Sequence, residues 1–312
     1  VDSTFFSQRL DAALERRNHA FPDSTHARLL FSESDGFPGA IVDRYGDVLT
    51  WTCISFGMEQ WRNQILDMLE ERFSPTAIIE RNDAWLRGKD GLPEQKGVIR
   101  GEHPGFVELS EGPVRYLVDP LEGPKTGFFM DQRLHRYHVA PFARGKRVLD
   151  VCCADGGFGL HAGLAGAAHV HFLDSSAAAM ERVKRNASAS GCTVPMIFDV
   201  ADALERLGAL VQEGAQFDLI ILDPPAYAKS KRHSDTATRA YQRLNISALQ
   251  LLSENGILAT ASCSQAIKET DFQKIIRYAA RKTETSLCQI YRGAQPPDHP
   301  VLDSLPETSY LK

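Results

Sequence analysis

The sequence predicts an α/β fold: a doubly wound parallel sheet preceded by a small α+β domain. Two patterns carry that prediction. From about Arg147 onward, near-continuous apolar runs alternate with amphipathic helical stretches, the pattern of strands buried on both faces of a parallel sheet. Before that point, short strand-like runs gather around one helix and are parted by glycine- and proline-containing turns.

Residues 4–17 read as a helix, with Phe6, Leu10, Ala13 and Leu14 at helical spacing. Residues 27–31, 40–44 and 48–54 read as strands, separated by Asp35-Gly36-Phe37-Pro38-Gly39 and Tyr45-Gly46-Asp47. An amphipathic helix follows at 58–72, its stripe made by Trp61, Ile65, Met68 and Leu69. Residues 76–80 read as a strand, and 106–109 with 114–118 as a hairpin. The sheet strands are expected at 148–152, 170–173, 194–198, 217–222 and 256–260, with helices between them, including 180–190 and 237–252. The expected division is a helix and linker over 1–20, the α+β domain over 21–118 and the sheet domain over 119–312.

Composition narrows the function classes. Hydrophobic residues make up 43% of 312, enough for a sizeable core. The net charge of −5 excludes a chain coated in positive charge, so any nucleic-acid contact must be local. The six cysteines show no CxxC spacing, which fits free thiols in a reducing cytoplasm and disfavours zinc. No apolar run approaches membrane-spanning length.

Three segments carry chemistry. The first is Cys153-Ala154-Asp155-Gly156-Gly157, a strand-to-helix turn through glycine that lets backbone approach a ligand. Asp174 ends the next strand, with Ser175 beside it, placed to accept hydrogen bonds from ribose hydroxyls. The glycines do not form GxGxxG, so a nucleoside without phosphates fits better, and S-adenosylmethionine is the cofactor expected. Asp202 follows the third strand and is placed either to reach the adenine amino group or to cap a helix. The second segment is Asp223-Pro224-Pro225-Ala226-Tyr227. Two prolines remove N–H donors and leave a carboxylate and carbonyls for the amino edge of a base, on which Tyr227 can stack. The third is Ser262-Cys263-Ser264, at the tip of the last strand. A thiolate there can add to C6 of a pyrimidine and make C5 nucleophilic, with Asp223 assisting at N3. Lys229, Lys231 and Arg232 follow the proline motif and suit phosphate contact.

These motifs resemble those of the bacterial 23S rRNA large-subunit methyltransferase I group. The likeness covers nearly the whole chain. It includes Glu33-Ser34-Asp35-Gly36-Phe37-Pro38-Gly39, Val42-Asp43-Arg44-Tyr45-Gly46 and Lys125-Thr126-Gly127-Phe128-Phe129-Met130-Asp131-Gln132-Arg133. It continues through Gly156-Gly157-Phe158, Asp223-Pro224-Pro225, Ser262-Cys263-Ser264, Asp298-His299-Pro300-Val301 and Tyr310-Leu311-Lys312. The resemblance implies a class I methyltransferase sheet (Rossmann-like) and cytosine-C5 methylation with S-adenosylmethionine. It implies Cys263 as nucleophile, Asp223 as base-binding carboxylate, and Lys125, Phe128 and Gln132 close to the cofactor and substrate. It implies 23S rRNA as partner, a cytoplasmic location and no membrane; the sequence admits a homodimer. Members usually begin with an RNA-binding PUA domain, and this chain starts at the helix that would follow it. The cofactor loop of the group commonly reads Tyr-Thr-Gly-Gly-Phe, where this chain has Ala154-Asp155-Gly156-Gly157-Phe158, so Asp155 adds a negative charge near the cofactor's amino-acid part. Two other functions stay open: methylation of a base nitrogen by the proline motif without the thiol, and a non-catalytic RNA-binding assembly factor.

Overall fold

The structure, a computed structural model, describes residues 3–22, 24–83, 85–103, 105–227 and 234–312. Lys229, Lys231 and Arg232 lie outside the described residues. The chain forms two compact units. The first takes in the residues up to Ser110, with Tyr116–Arg133 and Pro296–Thr308; the second takes in Glu111–Arg115, Leu134–Gln295 and Ser309–Lys312. The segment 125–133 therefore belongs to the first unit, whereas a boundary at 118 would have placed it with the sheet.

The first unit opens with α1 (Ser3–Ala20), followed by β1 (His26–Phe31), β2 (Ala40–Tyr45) and β3 (Val48–Cys53). Two helices follow, α2 (Phe56–Glu59) and α3 (Arg62–Phe73), where the apolar stripe predicts one; the chain leaves helical geometry at Trp61, whose ring packs on Phe6 at 5.4 Å. Then come β4 (Ala77–Asn82) and β5 (Gln95–Gly101). The five strands form one sheet in chain order, antiparallel except for the β3–β4 pair. Leu10, Trp51, Ile65 and Leu66 are among its fully buried side chains. A hairpin of β6 (Val107–Glu111) and β7 (Val114–Val118) follows.

The second unit alternates strictly. After α4 (Arg133–Val139) come β8 (Arg147–Val151), α5 (Gly157–Leu164), β9 (His169–Asp174), α6 (Ala177–Ala189), β10 (Met196–Val200), α7 (Ala203–Gln212), β11 (Phe217–Leu222), α8 (Ser234–Leu251), β12 (Leu252–Thr260) and α9 (Glu269–Lys282). All five strands are parallel, in the spatial order β10-β9-β8-β11-β12. Alternate side chains show why the sheet is covered on both faces. Leu149, Val151, Ile220 and Leu222 join Leu207, Leu210, Leu244 and Ala248 from α7 and α8 in one cluster. Asp150 and Phe172, on the other face, meet α5 at Gly159. The strand order reverses between β8 and β11, and ligands of such sheets bind beyond the strand C-termini at that point. Strand β10 begins at Met196, two residues later than the apolar pattern predicts, because Pro195 has no N–H for the ladder.

Candidate active site

Strand β8 runs into a loop with unusual backbone. Cys152 and Ala154 have φ of 60° and 51°, and Gly156 has 78°, so three residues of five are left-handed and two of them carry a Cβ. Such residues each cost about 1–3 kcal/mol and persist only where surroundings fix them. Here the Cys152 and Cys153 amides both donate to the Leu173 carbonyl, at 2.8 and 3.2 Å, and the Gly156 amide donates to the Cys153 carbonyl at 2.7 Å. Asp174 supplies the side-chain anchor. One carboxylate oxygen accepts from the Ala154 amide at 3.0 Å and the other from the Ser176 amide at 2.9 Å. Ser175, next in line, is exposed. A Cβ on Gly157 would lie 2.5 Å from Arg136 Nε, so this glycine is required for the buried Arg136 guanidinium to pass the start of α5. Arg136 in turn donates to Glu111 at 2.7 Å.

Asp155 is buried, and its charge does not stand alone. Arg182, one turn into α6, donates to Oδ1 at 2.5 Å, and Asn186 donates to the Asp155 carbonyl at 3.0 Å. Burial pushes the Asp155 carboxyl up from the usual carboxylate range, while the Arg182 guanidinium pulls it down. We expect Arg182→Met to destabilise the protein by about 2–3 kcal/mol, the low end for breaking a buried pair because Arg182 is partly exposed. Adding Asp155→Thr should restore most of that loss. Urea unfolding of both variants measures this, and a double variant no more stable than the single one would refute the pairing.

Asp150, which is not among the site residues read from the sequence, sits below the loop. It is 1% exposed; Oδ2 accepts from the Gly159 amide at 2.8 Å. Asp150 Oδ1 and Asp155 Oδ2 are buried with no hydrogen-bond partner among the described residues. Burial pushes Asp150 up to about 7, with Asp223 and Asp174 adding to the rise. The same burial, with the carboxylates around it, raises both the Cys152 and Cys153 thiols, which suits them to line a pocket and makes them poor nucleophiles. The donor set is acidic throughout: Asp150, Asp155, Asp174 and Asp202. It fits a ligand bearing a sulfonium and an ammonium and opposes one bearing phosphates. Asp202 caps α7, its Oδ1 accepting from the Leu204 and Glu205 amides at 2.9 and 3.1 Å.

The tips of β11 and β12 meet. The Ala261 amide donates to the Leu222 carbonyl at 2.8 Å, and Cys263 Sγ lies 3.9 Å from the Pro224 carbonyl oxygen. Pro224 is buried, Asp223 and Cys263 are half-buried and Pro225 is exposed. Tyr227 packs edge-on against Tyr241 at 5.2 Å, and burial pushes its hydroxyl up to about 12. Ser262 and Ser264 are fully buried and fix the turn that presents Sγ. The backbone of Lys312 pairs with Ser262 in both directions, a contact that no local sequence pattern announces.

The remaining sequence-derived candidates lie in the first unit. Lys125 is exposed, with φ 51°; its ammonium is 4.4 Å from the Phe129 ring centroid and 3.9 Å from Asp131. Phe128 and Gln132 are buried. The Phe128 ring packs on Tyr116 at 4.6 Å, and its amide donates to the Tyr45 hydroxyl at 3.2 Å. Thr126 donates to Asp43 at 2.5 Å, so strand β2 holds this segment in place.

The doubly wound sheet and its strand–glycine–helix loop define an S-adenosylmethionine-dependent methyltransferase. A family model described as S-adenosylmethionine-dependent methyltransferase matches residues 96–310. The ribosomal RNA large subunit methyltransferase I of Shewanella denitrificans is 37% identical over 316 aligned residues, covering 100% of this chain and 80% of that protein. That of Photobacterium profundum has the same identity and coverage. The chain belongs to the ribosomal RNA large subunit methyltransferase I family. Among solved structures, the methyltransferase SMU.776 complexed with SAH has a TM-score of 0.87 at 22% identity, over 100% of this chain and 80% of that one. A SAM-dependent methyltransferase from Agrobacterium tumefaciens has a TM-score of 0.61 at 19% identity, over 83% and 78%. Among the described residues no helix is long and apolar enough to cross a membrane.

Proposed function

We propose that this methyltransferase modifies C5 of a cytosine in 23S ribosomal RNA, in the cytoplasm, with Cys263 as nucleophile. The observation that carries the reading is the approach of Cys263 Sγ to the Pro224 carbonyl at 3.9 Å, which puts a thiol and the carboxylate–proline motif on adjacent parallel strand tips. Asp223 holds the N3 and amino edge of the base, Pro224 and Pro225 shape the slot, and Tyr227 stacks on the extruded ring. Lys229, Lys231 and Arg232 neutralise RNA phosphates. Cys153, Asp155, Gly156, Gly157, Asp174, Ser175 and Asp202 hold the cofactor.

Bound S-adenosylmethionine supplies an electrophilic methyl group on positively charged sulfur. The protein must therefore create a carbon nucleophile and align it. Cys263 does so by adding to C6, which pushes the C5–C6 electron pair toward N3, while Asp223 donates its proton to N3 and so leaves C5 as the nucleophilic carbon of a neutral enamine. After C5 carries the methyl group, a base takes the C5 proton, its electron pair forms the C5–C6 double bond, and Sγ leaves C6 as a thiolate, which restores the aromatic ring.

Methylation of a base nitrogen is the second reading, because the Asp223-Pro224-Pro225 motif could grip a base without the thiol. Nucleoside mass spectrometry of 23S rRNA from a deletion strain, with and without complementation, separates the two. The C5 reading expects 5-methylcytidine to vanish and return; an N-methylated nucleoside behaving that way would overturn it.

A further inference from the structure

The turn that presents Cys263 is gripped from a segment 48 residues further along the chain. The Ser262 amide donates to the Lys312 backbone oxygen at 2.8 Å, and the Lys312 amide donates to the Ser262 carbonyl at 3.1 Å. Lys312 Nζ then reaches across the turn and donates to the Ser264 carbonyl at 2.7 Å. These three bonds flank Cys263 on both sides. Leu311, buried beside them, anchors the segment. An ammonium is thus fixed on the carbonyl of the residue that follows Cys263, whose ionisation the proposed chemistry needs.

The charge balance around Sγ explains why such a group is required. Asp223 precedes the Pro224 carbonyl that Sγ approaches, and a carboxylate there opposes a thiolate. Tyr241 also faces Cys263, but burial raises its hydroxyl, which stays neutral. Lys312 interacts with Cys263 and with Glu269, and it is the cation among these groups. Half-burial brings its ammonium down to about 8, so most of it is charged at pH 7 while shielded from bulk water, where a charge acts most strongly on a neighbour.

We propose that Lys312 is a positioning residue for the reaction: its ammonium, clamped to the Ser262–Ser264 turn, holds Cys263 as the thiolate that attacks the pyrimidine. The step is an ionisation. The Sγ–H bond breaks, the proton goes to solvent, the electron pair stays on sulfur, and nothing is oxidised or reduced. The same ammonium faces Sγ when it leaves C6 as a thiolate. The proposal rests on Cys263 being the nucleophile.

The test is alkylation of the full chain by iodoacetamide across pH 6–10, followed on the Cys263 peptide by mass spectrometry so that the other cysteines do not interfere. The wild-type midpoint should lie below the ordinary thiol value of about 8.5. Lys312→Gln, which can still donate to the Ser264 carbonyl, should raise the midpoint by about one unit and slow alkylation at pH 7 about tenfold. Lys312→Arg, charged across the whole range, should keep the midpoint at or below the wild-type value. A wild-type midpoint at or above 8.5 overturns the proposal whatever the variants do. So does an unchanged profile in Lys312→Gln, or an equal shift in both variants, which would mean a purely structural role. Failure of the underlying reading looks different: a Cys263→Ala protein that still methylates RNA would remove the nucleophile while leaving the alkylation profiles intact.

Discussion

Cys263→Ala should lower kcat for RNA methylation by about a thousandfold or more, with RNA and cofactor affinity changed no more than a few-fold. The size follows from chemistry. An unactivated pyrimidine C5 is a poor nucleophile, and only addition at C6 turns it into one. Without the thiol the barrier rises by about 4 kcal/mol or more, each tenfold in rate being about 1.4 kcal/mol. Affinity should hold because Cys263 is only half-buried and the turn that carries it is fixed by Ser262, Ser264 and Lys312, all left in place. Stability should move by less than about 1 kcal/mol for so small a truncation at a partly exposed site. RNA with 5-fluorocytosine at the target gives the companion result: C5 then has no proton to lose, so the wild type should stay covalently attached through Sγ and the alanine variant should not. Turnover that survives the substitution, together with no adduct, would sink cytosine-C5 chemistry and favour attack by a ring or exocyclic nitrogen.

The sheet is legible in the sequence because a strand buried on both faces needs apolar residues at nearly every position. Phe217–Leu222, apolar except for Asp218 near its start, is such a run, and its bounds agree in sequence and structure. Strand β5 is not legible, since Gln95–Gly101 is an edge strand with two glycines and only Val98 and Ile99 as apolar residues. The loop after β8 is visible through its glycines, but its left-handed Cys152 and Ala154 are not, because the contacts that impose their geometry come from Leu173 and Asp174 on the next strand. Asp155 reads as an added charge in sequence; its partner Arg182 lies on α6, 27 residues away, and only folding pairs them. Lys312 is hidden for the same reason. Of the two readings of Asp202, the structure shows the helix cap: Oδ1 accepts from the first amides of α7.

Asp150 was present in the sequence as a charged residue inside the apolar run Val148-Leu149-Asp150-Val151, a pattern that marks a buried ionisable group. Its expected consequence is a stability that depends on pH in an unusual direction. Burial, reinforced by Asp223 and Asp174, raises its folded value from 3.8 to about 7, above that of the unfolded chain. The folded state then holds the proton more tightly, so the contribution is complete below pH 4 and is lost as pH rises toward 7 and beyond. The full span is about 4 kcal/mol, at 1.36 kcal/mol per unit. Other carboxylates act in the opposite sense: Asp218, held low by hydrogen bonds from Arg147, loses its contribution as pH falls. The total curve therefore mixes both signs, and the difference between wild type and Asp150→Asn isolates the buried group. An asparagine keeps an oxygen for the Gly159 amide and mimics the protonated acid. Urea unfolding at pH 4 should find the two proteins equally stable, and at pH 8 should find Asp150→Asn the more stable by about 2–4 kcal/mol. Equal stability at pH 8 would show that the carboxylate is accommodated as an anion, and then the unpartnered Oδ1 beneath the cofactor loop must be solvated or paired in the folded protein.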